Sequence, residues 1–144
     1  MSLRRHPHSN EVHQPVDKTS LISALREILP DDAVLSEVED LRPYECDGLS
    51  AYRQLPLIVV LPRTVEEVQQ IMHLCHEKGL PVVARGTGTG LSGGALPLGD
   101  GVVLSLARLN SILEINLLKR TACVQPGVRN LAISEAVQIG RAHV

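Results

Sequence analysis

The feature that most constrains this chain is a ten-residue run, Arg85-Gly86-Thr87-Gly88-Thr89-Gly90-Leu91-Ser92-Gly93-Gly94. Its five glycines can adopt positive φ angles and let other groups approach the backbone closely. Its threonines and its serine add hydroxyl groups, and successive N–H groups in such a loop form a concave surface suited to phosphate. Because ordinary turns need only one or two glycines, the run predicts a phosphate-binding loop. A glycine-rich turn without a ligand is the alternative.

Two well-known phosphate-binding motifs do not fit this loop. A Walker A loop ends in Gly-Lys-Ser/Thr, but no lysine lies between Lys78 and Lys119. A Rossmann fingerprint is a near match in glycine spacing, but that fingerprint opens a helix. Residues 95–101 read Ala-Leu-Pro-Leu-Gly-Asp-Gly and do not predict a helix. We therefore expect the loop to join two strands and to bind phosphate without the dipole of a helix.

The residues before the loop predict a β-α-β unit. Residues 56–62 are an apolar run bounded by prolines, which is typical of a buried strand. Thr64, with Glu67 three residues later, predicts a capped helix that ends near Gly79. Residues 80–84 predict the second strand. The buried stripe expected on the helix is Val65, Val68, Ile71, Met72 and Cys75.

The other parts of the chain complete a predicted α+β domain with a mixed sheet. The elements expected are a helix at 20–29, a turn-rich lead-in at 31–56, a strand at 101–106, a hairpin of 112–118 and 120–124, a break at Gln125-Pro126-Gly127, and the first part of a helix at 128–137, beginning with Val128.

Composition excludes several classes of protein. A net charge of −2 gives no basic surface for nucleic acid, and two Tyr without Phe or Trp leave few rings for stacking bases. No apolar run approaches the roughly 18 residues of a membrane span, and the N-terminus does not resemble a secretory signal, so we expect a cytoplasmic location. Cys46, Cys75 and Cys123 are odd in number and far apart, which predicts neither a disulfide nor a zinc framework.

The histidines do not predict a metal site or a catalytic base. His6, His8 and His13 lie in a polar tail with nothing to preorganise ligands. His73 and His76 are three residues apart on the predicted helix, where a solvated face explains them better than catalysis.

Three motifs, at 62–68, 81–94 and 124–128, resemble the vanillyl-alcohol-oxidase family of PCMH-type FAD-binding domains. Residues 43–53 and 126–137 are more similar still to its glycolate oxidase branch, the FAD-linked subunit of bacterial glycolate oxidases. Arg85 would pair with a phosphate or a ligand carboxylate, or brace the loop against an acidic neighbour, and bracing is favoured. The FAD contacts that the resemblance implies are Pro62, Arg85, Gly86, Thr87, Gly88, Thr89, Gly90, Leu91, Ser92, Gly93, Gly94, Gln125, Pro126, Gly127 and Val128.

The resemblance also implies an activity for the complete protein. It would oxidise a 2-hydroxy acid, glycolate or D-lactate, by hydride transfer to the flavin. Electrons would pass to a second flavin subunit and an iron–sulfur subunit, with peripheral membrane association through these partners. No histidine lies between His76 and His143, so the FAD is expected to be noncovalent. The alternatives are another flavin oxidoreductase of the same fold and a noncatalytic nucleotide-binding or phosphate-binding module.

Four parts are expected along the chain: a flexible tail at 1–18, a helix and lead-in segment at 19–53, a partial FAD-binding domain at 54–137, and a non-native tail at 138–144. The final residues depart from the family pattern, and Ile139 to Val144 also matches the translation of a common sequencing adapter. We therefore expect the native sequence, with its substrate domain and catalytic groups, to continue after Val137. Such a fragment would leave an unpaired strand edge and an uncovered apolar face, which predicts that the isolated chain is aggregation-prone or molten and binds FAD weakly or not at all.

Overall fold

The computed structural model describes residues 17–141. The expected α+β architecture with a mixed sheet is confirmed. In chain order its elements are helix α1 (Lys18–Ile28), strand β1 (Val34–Leu35), helix α2 (Val38–Leu41), strand β2 (Ile58–Val60), helix α3 (Val65–Glu77), strand β3 (Val82–Arg85), strand β4 (Val102–Ser105), strand β5 (Ile112–Asn116), strand β6 (Thr121–Val124) and helix α4 (Asn130–Arg141).

Four strands form one sheet, in the order β1-β2-β4-β3. Strand β4 lies between the two strands of the β-α-β unit and is parallel to both, so that Val102 is paired with Ile58 on one side and with Val82 on the other. The short β1 is antiparallel to β2 at the edge of the sheet. Strands β5 and β6 form a separate antiparallel hairpin, as expected.

Strands β2 and β4 are buried on both faces. Ile58 and Val102 belong to a cluster that includes side chains of α1 and α3. Val59 and Val103 point the other way and pack with Leu41 of α2. Because both faces are covered, these strands are continuous apolar runs in the sequence, without the alternation of a half-exposed strand.

The helices that cover the sheet begin at side-chain caps. Asp17 accepts hydrogen bonds from the N–H groups of Thr19 and Ser20, so α1 begins two residues before the predicted 20–29 helix. The predicted capping box of Thr64 and Glu67 is present at the start of α3. Gly79, after the end of α3, has a φ of 64°, as its predicted position requires.

The structure corrects three details of the prediction from sequence. Val65 and Met72 are exposed on α3, and Leu74 packs against the core instead. The lead-in segment contains β1 and α2, which were not predicted. Val128 lies in a turn before α4, because its N–H donates to the Gln125 carbonyl and the turn delays the start of the helix.

Within residues 17–141 no helix is both long and apolar enough to span a membrane. Residues 1–16 of the predicted tail, with His6, His8 and His13, and Ala142 to Val144 at the other end lie outside the described residues. Helix α4 continues through Gln138 to Arg141, the first part of the segment expected to be non-native.

Candidate functional site

The glycine-rich loop joins β3 to the turn that leads into β4. Gly88 and Gly93 both have a φ of 73°, a conformation that side chains with a Cβ rarely adopt. No backbone N–H of residues 86–94 donates a hydrogen bond to another residue within 17–141. The hydroxyls of Thr87 and Thr89 lie 3.2 Å apart and are hydrogen bonded to each other. The loop therefore offers a run of donors that the described protein does not use.

The first residues of this loop line a cleft of about 500 Å³. The opposite wall comes from the turn after the hairpin and from the start of α4. Ligand pockets commonly have volumes of about 300–1,000 Å³, so the cleft is large enough to hold part of a dinucleotide. The residues that line it are Gly86, Thr87, Ala107, Pro126, Gly127, Val128, Arg129 and Asn130.

Close backbone packing fixes the far wall of the cleft. The N–H of Gly127 donates to the carbonyl of Leu109 at 2.8 Å. A Cβ at Gly127 would overlap the carbonyl oxygen of Leu106 and would come within 2.8 Å of that of Leu109. Gln125 exchanges two hydrogen bonds with Ser111, one through its side-chain oxygen and one through its N–H, both of 2.9 Å. Gly127 is therefore required by contact, because its backbone lies directly against the chain that follows β4.

The N-terminus of a helix also reaches this cleft. The residues that follow the glycine loop are not helical, as expected. However, α4 begins at Asn130, which lines the cleft together with Arg129. The expectation of a site without a helix dipole was wrong in this respect, because the helix comes from a part of the chain distant in sequence.

Arg85 contacts the protein itself. Its guanidinium donates to the carbonyl oxygens of Cys46 at 2.7 Å and Pro43 at 3.3 Å, and lies 5.5 Å from the centre of the Tyr44 ring. The residue is only 8% exposed. Of the two roles considered from the sequence, this geometry corresponds to bracing. The partners are main-chain carbonyls and a ring, whereas the sequence reading expected an acidic neighbour.

The predicted contact residues are not all brought together. Gly86, Thr87, Pro126, Gly127 and Val128 line the same cleft. Pro62 is fully buried after β2 and is not among the lining residues. The members of the loop that lie beyond the cleft, mostly exposed, are Gly88, Thr89, Gly90, Leu91, Ser92, Gly93 and Gly94.

His73 and Cys75, whose side chains are of types that can act in catalysis, do not line the cleft. His73 lies 3.2 Å from Glu77 on the exposed face of α3, as the solvated-face interpretation predicts. Among residues 17–141 there is no group of three or more histidine, cysteine or acidic side chains suited to a metal ion. Burial raises the pKa of the Cys75 thiol above its ordinary value of 9.0, which disfavours a reactive thiolate at that position.

Comparison with known protein families adds a family match. A family described as "FAD binding domain" matches residues 56–142. Glycolate oxidase subunit GlcD of Escherichia coli strain K12 is 60% identical over 122 residues, which cover 85% of this chain and 24% of that protein. D-2-hydroxyglutarate dehydrogenase of Xanthomonas citri pv. viticola is 37% identical over 81% of this chain and 25% of its own length.

Solved structures have the same fold. The p-cresol methylhydroxylase structure aligns with a TM-score of 0.76 and 29% identity, over 85% of this chain and 25% of the other. The present chain spans about a quarter of the length of the two curated relatives. It therefore corresponds to one part of each of these larger proteins.

Proposed function

The chain belongs to the FAD-binding domain family, and from that premise we propose that its cleft holds the pyrophosphate region of FAD. The observation that carries the proposal is the set of unused N–H groups in residues 86–94, which begin at the wall of the cleft. A pyrophosphate carries negative charge and accepts several hydrogen bonds, so this donor set fits it. The start of α4 at the opposite wall favours an anion there as well.

Two classes of contact follow from the geometry. Gly86, Thr87 and the turn at 126–128 line the cleft and would touch the cofactor directly. The loop residues from Gly88 to Gly94 would wrap its phosphates, with Thr87 and Thr89 exchanging their mutual hydrogen bond for bonds to the ligand. Pro62 and Gln125 would act through packing and hydrogen bonds that hold the walls in place.

The chemistry of the complete protein extends beyond this chain. FAD, when bound, supplies a hydride acceptor. The residues of this chain bind and orient the cofactor and supply no proton-transfer group among those described. The loop contains only glycine, threonine, leucine and serine after Arg85, none of which forms the histidyl–flavin bond of some relatives, so we propose noncovalent binding.

We propose that the parent protein oxidises a 2-hydroxy acid, glycolate or D-lactate, at this flavin. The names of the relatives support the class of substrate, since glycolate and 2-hydroxyglutarate are both 2-hydroxy acids. A second flavin subunit and an iron–sulfur subunit would receive the electrons, in the cytoplasm or at a membrane surface that these partners contact. In this proposal the chain is a fragment whose native sequence continues after Val137, and sequencing the genomic locus tests that point.

The binding proposal is tested by titrating the 144-residue chain into FAD and following flavin fluorescence. We expect saturable quenching that is reversed by denaturation, without a covalently retained flavin. Absence of quenching at high protein concentration would contradict the proposed site. For the parent protein, glycolate should bleach the flavin absorbance under anaerobic conditions, and a spectrum that no 2-hydroxy acid changes would contradict the proposed activity.

A noncatalytic nucleotide-binding module is the second candidate. It is favoured by one observation, the lack of a catalytic acid or base at the cleft among residues 17–141. The same titration separates the two candidates, because the module would bind ATP or NAD at least as tightly as FAD.

A further inference from the structure

A short segment, residues 43–49, packs against the glycine-rich loop along its length. At the start of the loop, Arg85 donates to the main-chain carbonyls of Pro43 and Cys46. At its middle, a Cβ at Gly48 would lie 2.8 Å from the carbonyl oxygens of Thr89 and Gly90. After its end, the Asp47 carboxylate accepts from the N–H of Ala95 at 3.5 Å, a long contact. We call this segment the latch.

The guanidinium of Arg85 is the centre of these contacts. It is buried, and within the described chain no acidic side chain forms an ion pair with it. A buried cation without a carboxylate is retained only where dipoles or a ring compensate its charge, and here two carbonyls and Tyr44 do so. Two of its five N–H donors are directed at the latch, and Arg85 is not among the residues that line the cleft.

Gly88 shows how closely the loop depends on that side chain. A Cβ at Gly88 would overlap the guanidinium of Arg85. The positive φ of Gly88 and the absence of its side chain allow the loop to fold over the cation. The loop therefore packs at Gly88 against the guanidinium of Arg85, which is in turn held by its hydrogen bonds to the latch.

Asp47 completes the latch internally. It is 6% exposed, and its Oδ1 accepts from the N–H of Leu49 at 2.8 Å. This bond closes a local turn of the Asx type, which places Gly48 against the loop. The latch is therefore shaped by its own hydrogen bonds as well as by Arg85.

We propose that the latch preorganises the glycine-rich loop for the cofactor, with Arg85 as a positioning residue that acts through main-chain carbonyls and does not touch the pyrophosphate. This inference rests on the proposed FAD site. If Arg85 contacted the pyrophosphate directly, its positive charge would be the property required. The latch instead requires a planar guanidinium that donates several hydrogen bonds and stacks on the Tyr44 ring.

The test uses four variants of the 144-residue chain: Arg85→Lys, Arg85→Gln, Tyr44→Leu and Tyr44→Phe. Arg26→Gln is the matched control, because Arg26 makes an exposed ion pair with Asp31 in another part of the molecule. Two quantities are measured. The first is the ¹⁵N heteronuclear NOE of the loop amides without ligand, with the amides of Val59 and Val103 as internal standards, and the second is FAD affinity by flavin fluorescence.

The latch predicts that Arg85→Lys, Arg85→Gln and Tyr44→Leu all lower the loop NOE and weaken FAD binding by about tenfold or more. Tyr44→Phe keeps the ring and should change neither, like Arg26→Gln. Wild-type affinity and loop rigidity in Arg85→Lys would overturn the proposal, because charge alone would then suffice. A rigid loop in Tyr44→Leu would also overturn it.

The two readouts keep this inference separate from the FAD site. If the wild-type chain does not bind FAD, the proposed function fails, and the ligand-free NOE values still decide whether the latch orders the loop. If Arg85→Gln does not fold, Tyr44→Leu remains decisive, because leucine retains the apolar contact of this position with the core around Leu41.

Discussion

The chain has two halves that differ in how completely they bury their own strands. Residues 17–109, the sheet half, cover both faces of β2 and β4. Residues 110–141, the hairpin half, consist of β5, β6 and α4, and none of their side chains described is fully buried. A two-stranded hairpin is marginally stable by itself. The sheet half therefore has a buried core of its own, whereas the hairpin half depends on contacts with other parts of the protein.

The candidate cofactor cleft lies on the boundary of the two halves. Its near wall, at Gly86 and Thr87, belongs to the sheet half, and its far wall, at 126–130, belongs to the hairpin half. A second cavity, of about 760 Å³, opens between the hairpin and α4 and is lined mostly by apolar side chains, among them Ile115, Ile133 and Val137. A ligand in the cleft would therefore join the buried core of the sheet half to a wall formed by the hairpin half.

The largest difference in the free energy of unfolding is expected between two isoleucine-to-alanine substitutions, one in each half. Ile58→Ala empties a fully buried position in β2 and should lower the free energy of unfolding by about 2–5 kcal/mol. Ile115→Ala, in β5, removes a half-buried side chain and should cost less than about 1 kcal/mol. Urea unfolding followed by circular dichroism measures both. Equal losses would remove the distinction between the halves.

The boundary itself is tested at Gly127. Gly127→Ala forces a methyl group against main-chain carbonyls and should cost about 1–3 kcal/mol through displacement of the turn. Gly94→Ala is the control for stability, because its Cβ would meet nothing within 4 Å, and its effect should be within about 0.5 kcal/mol. The same unfolding experiment is used. A neutral Gly127→Ala would mean that the two walls are not held together by this contact.

The stability of the sheet half is expected to depend on pH through Cys75, and Cys123 in the hairpin half provides the control. The raised pKa of the buried Cys75 thiol means that the folded chain keeps this proton to higher pH than the unfolded chain does. Its contribution to stability is complete below pH 9.0 and is lost as the pH rises above that value. Urea unfolding at pH 8 and pH 10 should therefore show a smaller loss in Cys75→Ala than in the wild type. Cys123→Ala, at an exposed position of β6, should retain the full loss, and an equal reduction in both variants would refute this origin.

The smallest change in stability is expected from substitutions on the outer surface of the hairpin, which should nevertheless reduce self-association of the chain. Leu113 and Leu118 are 62% and 99% exposed, and replacing both with lysine should change stability by no more than about 0.5 kcal/mol. Static light scattering should show less self-association, since exposed apolar patches drive aggregation. The paired control is Val38→Lys with Val65→Lys in the sheet half. An equal reduction by the control pair would show that added charge alone, and not the hairpin, governs association.

Regular elements with strong local signals were predictable from the sequence. The capping box at Thr64 and Glu67 fixed the start of α3, and apolar runs located β2 and β4. Strand β1 and helix α2 were missed because a two-residue strand and a four-residue helix have no periodicity. Their existence depends on contacts distant in sequence, such as the pairing of Val34 with Val60.

The sequence predicted individual segments of the site, but it did not predict which residues the fold brings together at the cleft. The glycine-rich run indicated a phosphate-binding loop, and the resemblance indicated the turn at 125–128. The contribution of Arg129 and Asn130 needed the fold, because the turn that leads into α4 is placed at the cleft by the packing of Gly127 against the segment that follows β4. The latch was not visible either, because the acceptors for Arg85 are main-chain carbonyls, which every residue has.

The most direct test is hydrogen–deuterium exchange of the 144-residue chain with and without saturating FAD, read by mass spectrometry of peptides from each half. Without FAD, amides of β2 and β4 should exchange at least about 100-fold more slowly than those of β5 and β6. With FAD, exchange in β5, β6 and the start of α4 should slow, while β2 and β4 change little. Equal protection of the two halves without FAD, or protection by FAD that leaves residues 110–141 unchanged, would contradict the account.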